Sequence, residues 1–273
     1  MEGLIVILMF IISFILSYGY WNTFRPILQE VDVDLPGCTE NVCGMRILHL
    51  SDMHMERISV SPEKMYEQIK GTNPDMIVLT GDYLDEPGNL PKWAVYMQYI
   101  ARLQPKYGMY AVLGNHDYRL GDKVNELIAI MESYNCKVLQ NESIQINYKG
   151  KDINIIGIDD YHLRRSNLEL AYANIDERAL SIVITHDPNI ILHMDGRHKV
   201  DYLLAGHFHG GQCDFPYAFR LYPMGVLPKQ NLYKGLLDYK GKRMYISAGL
   251  GQSAINVRYN SRPEITLHRL QAE

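Results

Sequence analysis

The feature that most constrains the fold of this chain is a series of short apolar runs, each bounded by turn residues. The runs are four to six residues long and rich in β-branched side chains, and they cover residues 45–50, 76–80, 109–113, 153–158, 182–185 and 202–205. Runs of this kind are typical of buried β-strands rather than helices. Between them, residues 61–70, 93–103 and 124–134 have the apolar spacing of amphipathic helices. The alternation predicts an α/β domain, closed by strands at 244–247 and 264–270.

The N-terminal segment is apolar enough to suggest a membrane anchor. Residues 3–20 carry no charge, and at a helical rise of about 1.5 Å per residue they nearly cross a hydrocarbon core about 30 Å thick. Tyr18, Tyr20 and Trp21 cluster at the end, where an interfacial aromatic belt would lie. The flanks lack the basic start and small-residue cleavage site of a signal peptide. We expect an uncleaved single-pass anchor over residues 1–22, with a cleaved signal or a buried helix as the alternatives.

The remaining chain divides into a connector and one domain. We expect residues 23–44, which include Pro26 and Pro36, to form a linker, and residues 45–273 to form a single domain with a sizeable core. Cys38 and Cys43 either form a disulfide or remain two thiols. Arg25 is the only charge near the anchor on its C-terminal side and does not decide which side of the membrane carries the domain. The oligomeric state also stays open.

Composition excludes several classes of protein. With 47% hydrophobic and 21% charged residues, the chain is not disordered. A formal net charge of −4 and the absence of a long basic cluster argue against extended nucleic-acid binding. No C-x-x-C motif is present, which argues against a zinc ribbon or a thioredoxin-type site.

Polar side chains follow five of the apolar runs, at the point where each predicted strand ends. In chain order these segments are Asp52-x-His54, Gly81-Asp82, Gly114-Asn115-His116-Asp117, His186 and Gly206-His207-Phe208-His209. Because ligands bind at the carboxyl edge of open α/β sheets, we expect these groups to converge. Oxygen and nitrogen donors without cysteine suit Mn, Fe, Zn or Mg. Seven candidate ligands exceed the needs of one tetrahedral ion, so the sequence predicts two divalent ions sharing a carboxylate.

This ordered series resembles the calcineurin-like metallophosphoesterases. The motifs at 206–212 (GHFHGGQ), 247–251 (SAGLG) and 262–265 (RPEI) are similar to the membrane-associated bacterial branch of the YkuE and YaeI type. The resemblance covers the chain from residue 45 to its C-terminus. It implies a four-layer αββα fold, in which two β-sheets pack as a sandwich with helices outside. It also implies a phosphoesterase that uses water activated between two metal ions.

The resemblance further implies a role for each motif residue. One ion would be held by Asp52, His54 and His209, the other by Asn115, His186 and His207, and Asp82 would bridge them. Asn115 and His116 would contact the substrate. His116 would protonate the leaving oxygen or stabilise the phosphoryl charge, and Asp117 would orient His116.

The substrate is less constrained than the site. An apolar anchor favours a lipid-linked phosphodiester or pyrophosphate, and a soluble phosphodiester or phosphomonoester is the alternative. A non-catalytic metal-binding scaffold is the competing reading from another class, although no motif residue is lost. Arg258 would contact a phosphate or form a salt bridge, and Asp159-Asp160 would form a structural turn at the same sheet edge.

Overall fold

The computed structural model describes residues 2–36, 42–214 and 224–272. Within these ranges, two six-stranded sheets carry the fold. The first sheet contains, in spatial order, β1 (Ile27–Leu35), β12 (Glu264–Ala272), β2 (Arg46–Leu50), β3 (Met76–Thr80), β4 (Met109–Val112) and β5 (Cys136–Val138). The second contains β10 (Gly235–Tyr239), β11 (Lys242–Ile246), β9 (Tyr202–Ala205), β8 (Leu180–Thr185), β7 (Lys151–Ile158) and β6 (Glu142–Tyr148).

Helix α1 (Glu2–Thr23) precedes the first strand, and helices between later strands cover the outer faces of the sheets. These covering helices are α2 (Pro62–Ile69), α3 (Leu90–Ala101), α4 (Val124–Ser133), α5 (Leu168–Ala171) and α6 (Val226–Lys229). Short 3-10 turns lie at Pro87–Asn89, Asp117–Lys123, Pro188–His193 and His209–Gly211. Helix α2 begins as its sequence indicates, because the Ser61 side chain accepts a hydrogen bond from the Lys64 N–H and proline occupies the first turn.

Three apolar clusters hold the layers together. One lies between the two sheets, where Ile47 and Val78 of the first sheet pack in the same cluster as Ile182 of the second. Leu48, the next residue after Ile47, belongs instead to the cluster between the first sheet and helices α2 to α4. A third cluster joins the second sheet to α5 and α6. Because strand side chains alternate between faces, a strand buried on both sides reads as a continuous apolar run. The predicted sandwich with flanking helices is confirmed.

The predicted strands and helices are found within a few residues of their expected bounds, but four of the described strands, β1, β5, β6 and β10, are missing from the prediction. The structure places β1 inside the stretch that the sequence analysis treats as a connector, parallel to β12 over nine register pairs. β1 is an edge strand with mostly half-buried or exposed residues, and its sequence ILQEVDVDL carries four polar side chains. Such a strand lacks the apolar run that reveals a central one. Cys38 lies outside the described residues, so the two alternatives for Cys38 and Cys43, a disulfide or two thiols, both stay open.

Helix α1 is long and apolar enough to cross a membrane by length and composition, a test that a signal sequence also passes. Its side chains are almost all exposed until the last turn, where Gly19, Asn22 and Thr23 contact the domain. The direction of the strands determines at which edge of the first sheet α1 ends. β1 runs parallel to β12, and β12 runs antiparallel to β2. The start of β1, and therefore the end of α1, lies at the carboxyl edge of β2.

Candidate metal centre

The seven candidate ligands and His116 lie in the turns that follow β2, β3, β4, β8 and β9, at the shared carboxyl edge of the sheets. The residues found there are Asp52, His54, Asp82, Asn115, His116, His186, His207 and His209. Five of them have left-handed backbone conformations that bulky side chains rarely adopt: Asp52, His54, Asp82, His207 and His209 have φ between 41° and 74°. Such strain is typical of functional sites, because the surrounding fold must enforce it.

Glycines let these turns approach one another closely. A Cβ atom on Gly114 would lie 2.6 Å from the backbone nitrogen of Asp82. Because that neighbour is backbone and cannot rotate away, only glycine fits between the turns that carry Asp82 and Asn115.

The first group of donors consists of Asp52, His54 and His209. Their ligand atoms lie within 4.8 Å of one another. His209 Nε2 is 3.1 Å from His54 Nε2 and 3.4 Å from Asp52 Oδ1. All three side chains are buried.

The second group consists of Asp82, His186 and His207, which are also buried and within 4.8 Å of one another. His186 Nε2 lies 3.2 Å from Asp82 Oδ2 and 3.1 Å from His207 Nδ1. Asp82 Oδ2 is also 3.6 Å from His54 Nε2 of the first group. Asp82 therefore lies between the two groups, where a shared carboxylate is required.

The protonation of these side chains tests whether a cation fits. His186 Nδ1 donates to the Thr80 carbonyl oxygen at 2.7 Å, so Nε2 is the ring nitrogen that faces Asp82 and His207. Burial alone would lower the pKa of His186, but Asp82 raises it well above its usual value. Burial and the charge of His186 lower the pKa of His207. When His186 is protonated, the single proton on Nε2 can be donated to Asp82 or to His207 Nδ1, but not to both. A metal ion would instead accept lone pairs from all of these side chains. The donor set therefore fits divalent cations.

The pKa values of the two carboxylates are shifted in opposite directions. Burial would raise the pKa of Asp82, but His186, His54 and His116 together hold it well below its usual value. Burial raises the pKa of Asp52. Asn115 Oδ1 is buried without a hydrogen-bond partner among the described residues. An unsatisfied buried amide oxygen of this kind is a ready ligand for a cation.

His116 lies beside the two groups and is more accessible than they are, with a side chain 17% exposed. Its Nδ1 donates to Asp85 Oδ1 at 2.7 Å, and its Nε2 lies 3.9 Å from Asp82 Oδ2. Burial lowers the pKa of His116, but Asp85 and Asp82 outweigh it and raise the pKa overall. The other oxygen of Asp85 pairs with Arg119 at 3.1 Å. Asp85 thus fixes the ring and favours its protonated form.

This geometry differs from the role that the sequence resemblance implies for Asp117. The Asp117 carboxylate is fully buried and accepts hydrogen bonds from the backbone N–H groups of Asp82, Tyr83, Leu84 and Gly114. Asp85, not Asp117, is bonded to the His116 ring. Asp117 directly follows His116, and its carboxylate instead joins the turns that carry Asp82 and Asn115. Asp85 was missed, although it stands only three residues after Asp82 in the same turn.

Arg258 also differs from its prediction of a phosphate contact or a salt bridge. Its side chain is fully buried, and its guanidinium donates to the carbonyl oxygens of His209, Ala248, Gly249, Gly251 and Ser261. Burial lowers its pKa to about 10. Because all these acceptors are backbone groups, Arg258 shapes the turn that carries His209. Asp159 and Asp160 form the expected turn, with Asp160 Oδ2 accepting from the Leu163 N–H.

A two-sheet sandwich with two adjoining groups of Asp and His at one sheet edge defines a metal-dependent phosphoester hydrolase, with side chains able to hold a dinuclear metal site. The chain belongs to the calcineurin-like phosphoesterase family, whose sequence model matches residues 45–211. It is 49% identical over 227 residues to YkoQ of Bacillus subtilis, an uncharacterized metallophosphoesterase, covering 83% of each chain. It is 26% identical to YkuE of the same organism over 264 residues, covering 94% of this chain and 90% of YkuE. An uncharacterized metallophosphoesterase of Aquifex aeolicus is 28% identical over 279 residues, covering 95% of this chain and 97% of the relative. These findings confirm the resemblance.

Proposed function

We propose that this protein hydrolyses a phosphodiester or diphosphate bond of a lipid-linked substrate, at the surface of the membrane that α1 crosses as a single-pass anchor. The observation that carries the proposal is the contact between α1 and the loop behind His209. The Gly19 carbonyl accepts a hydrogen bond from the Arg258 N–H at 2.9 Å. Asn22 Nδ2 donates to the Arg258 carbonyl at 3.1 Å, and the Tyr259 hydroxyl donates to the Ile15 carbonyl.

These contacts bring the end of the apolar helix close to the catalytic edge. The backbone of Arg258 is bonded to α1, and its guanidinium is bonded to the carbonyl oxygen of His209 at 3.1 Å. One residue therefore separates the last turns of α1 from a candidate metal ligand. A substrate held in the bilayer reaches such a site without leaving the interface, which favours a lipid-linked phosphate over a soluble one.

We assign the ligands in two sets that share Asp82. Asp52, His54 and His209 would hold one ion, and Asn115, His186 and His207 would hold the other. Two divalent ions, when bound, supply a hydroxide nucleophile and neutralise charge on the phosphoryl oxygens. Asn115 and His116 would contact the phosphoryl group. With Nδ1 bonded to Asp85, His116 would hold its mobile proton at Nε2 and deliver it to the leaving oxygen.

The test compares two substrates with one headgroup. We expect the full chain, reconstituted in phosphatidylcholine vesicles with Mn²⁺, to hydrolyse cytidine diphosphate diacylglycerol with a kcat/KM at least tenfold above that for soluble cytidine diphosphate glycerol. His116→Ala should lower both rates by about 10²–10⁴-fold, the usual contribution of a general acid. Arg197→Ala changes an arginine that is 81% exposed and paired with Asp195, and serves as the matched control.

Each outcome bears on a different part of the proposal. Equal or faster hydrolysis of the soluble diphosphate would refute the lipid-linked substrate. Hydrolysis of p-nitrophenyl phosphate alone would favour a phosphomonoesterase. A metal-loaded protein inert toward all three substrates would refute the proposed hydrolysis.

A further inference from the structure

A cavity of about 450 Å³ opens beside the second group of donors, on the side of His207. It is lined by the turn after β7, by the segment that follows His186 and by the segment that leads into α6. The ring centroid of His162, in the turn after β7, lies 5.4 Å from that of His207. The cavity therefore adjoins the candidate metal centre but contains none of its ligands.

The β7 side of the cavity carries one cationic side chain, Arg164, and one imidazole, His162. His162 and Arg164 both line it and are exposed. Among the described residues, no carboxylate forms an ion pair with the Arg164 guanidinium, whereas the adjacent Arg165 pairs with Asp159 at 3.3 Å. Arg164 also has a left-handed backbone conformation, with φ of 59°. Two hydrogen bonds close the turn, from the Arg164 N–H to the Tyr161 carbonyl and from the Arg165 N–H to the Asp160 carbonyl.

The opposite side is a rigid support built on Asn189. This buried amide accepts hydrogen bonds from the N–H groups of Val226 and Leu227 and donates to the Met224 carbonyl. It also donates to Asp187 Oδ1 at 2.8 Å. Asp187 is the residue that directly follows His186, so the wall of the cavity is hydrogen-bonded to the segment that carries a candidate metal ligand.

The lining of the cavity combines the Arg164 guanidinium with apolar surface from Leu192, Met224 and Val226. The one carboxylate in the lining, Asp187, is buried; its Oδ1 accepts hydrogen bonds from Asn189, and its Oδ2 lies 3.9 Å from His207 Nε2, in a group with His162. A guanidinium without a carboxylate partner and an adjacent imidazole match the oxygens of a phosphoryl group, which arginine binds in a bidentate manner. The apolar side chains match the organic portion to which such a group is attached.

We propose that this cavity is a subsite for a second phosphoryl group, carried on the part of the substrate that leaves when the bond at the metal centre is broken. The subsite lies by His207 of the second donor group, whereas α1 reaches the centre through His209 of the first. A lipid-linked diphosphate would therefore place its apolar part toward α1 and its outer phosphoryl group against Arg164 and His162. This inference rests on the proposed function, and it narrows the substrate to one with two linked phosphoryl groups.

Binding of two non-hydrolysable probes tests the subsite separately from catalysis. Full-length protein in detergent, loaded with Mn²⁺ and dialysed, is titrated calorimetrically with methylphosphonate and with methylenediphosphonate. We expect the wild type to bind the diphosphonate at least tenfold more tightly. Arg164→Ala and His162→Ala should each reduce this preference about tenfold, the usual effect of losing one charge-assisted hydrogen bond. Arg164→Lys should retain part of it, and Arg197→Ala all of it.

We expect each variant to keep its fold, because both side chains are exposed. Circular dichroism melting of each variant checks this. An unchanged preference in Arg164→Ala and His162→Ala would overturn the subsite, since the metal ions alone would then account for tight diphosphonate binding. Hydrolysis of cytidine diphosphate diacylglycerol, cytidine diphosphate glycerol and p-nitrophenyl phosphate is measured on the same samples. A wild type that hydrolyses none of the three, but whose diphosphonate preference depends on Arg164, would refute the proposed hydrolysis and support the subsite.

Discussion

Replacing Asp117 by Asn distinguishes two roles for this residue. Its carboxylate either orients His116 or holds together the turns that carry Asp82 and Asn115. One Asp117 oxygen accepts from the N–H groups of Asp82 and Gly114, each at 2.8 Å. The other accepts from the N–H groups of Tyr83 at 2.7 Å and Leu84 at 3.3 Å. An asparagine has one oxygen, and its NH₂ group cannot accept. Whichever way the amide is turned, two buried N–H groups lose their acceptor.

The expected cost follows from that geometry. A buried donor without a partner costs about 1–3 kcal/mol, so two such groups should lower the free energy of unfolding by about 4 kcal/mol. For a domain of this size, about 2–4 °C of melting temperature corresponds to each kcal/mol, which gives a decrease of about 8–16 °C. The same change loosens the turns that carry Asp82 and Asn115, so bound metal should fall as well.

The assay combines thermal unfolding, metal content by mass spectrometry and hydrolysis of bis-p-nitrophenyl phosphate. We expect Asp117→Asn to lose stability in the presence and absence of Mn²⁺, and to lose metal and activity together. If the variant keeps the melting temperature and metal content of the wild type and loses only kcat, Asp117 acts on His116 and our interpretation of the backbone contacts is refuted.

Three further predictions concern neighbouring groups. Asp85→Asn should lower kcat about 10²-fold with little change in metal content, because it removes the negative charge that raises the pKa of His116 and leaves only one oxygen to accept from His116 Nδ1–H; loss of metal instead would contradict this, as measured by the same assays. Chelation of the metal should lower the melting temperature, and Mn²⁺ at about 100 times its Kd should restore about 2.7 kcal/mol; a melting curve insensitive to both would exclude a built cation site. Burial lowers the pKa of His49 to about 3, whereas the unfolded chain has about 6.5, so the unfolded state binds the proton first as pH falls. Stability present above pH 6.5 should therefore decline by about 2 kcal/mol at pH 5, measured by urea unfolding, and His49→Gln should remove that part of the slope.

The central strands and the convergence of their polar ends were predictable from sequence. A strand buried on both faces must be apolar throughout, and parallel strands deliver the residues that follow them to one edge, so Asp52, Asp82, His186 and His207 could be expected to meet. Strand β1 was not predictable in the same way. Its pairing with β12 joins residues more than two hundred positions apart in the chain. Its sequence mixes polar with apolar residues, and most of its side chains are half-buried or exposed.

The supporting residues of the site were harder to predict than the ligands. Asp117 and Asp85 are both carboxylates near His116 in the fold, and only the direction of each side chain shows which one reaches the ring. A backbone N–H carries no residue-type signal, so sequence does not reveal that Asp117 binds four of them. The role of Arg258 is equally hard to predict, because its carbonyl partners belong to the backbone and any residue type could supply them.

The short junction between α1 and β1 limits how the domain can move. Only residues 24–26 separate the end of the helix from a strand locked to β12 by nine register pairs. A three-residue junction, unlike a long flexible linker, would keep the catalytic edge at a nearly constant distance from a membrane that α1 crossed. If α1 anchors the protein and the substrate is lipid-linked, as proposed, substrate would have to arrive by lateral diffusion. The rate would then follow the mole fraction of substrate in the membrane rather than its bulk concentration. Inserting one residue into the junction would test this mechanical coupling directly, since the strand would have to slip or the helix would have to rotate.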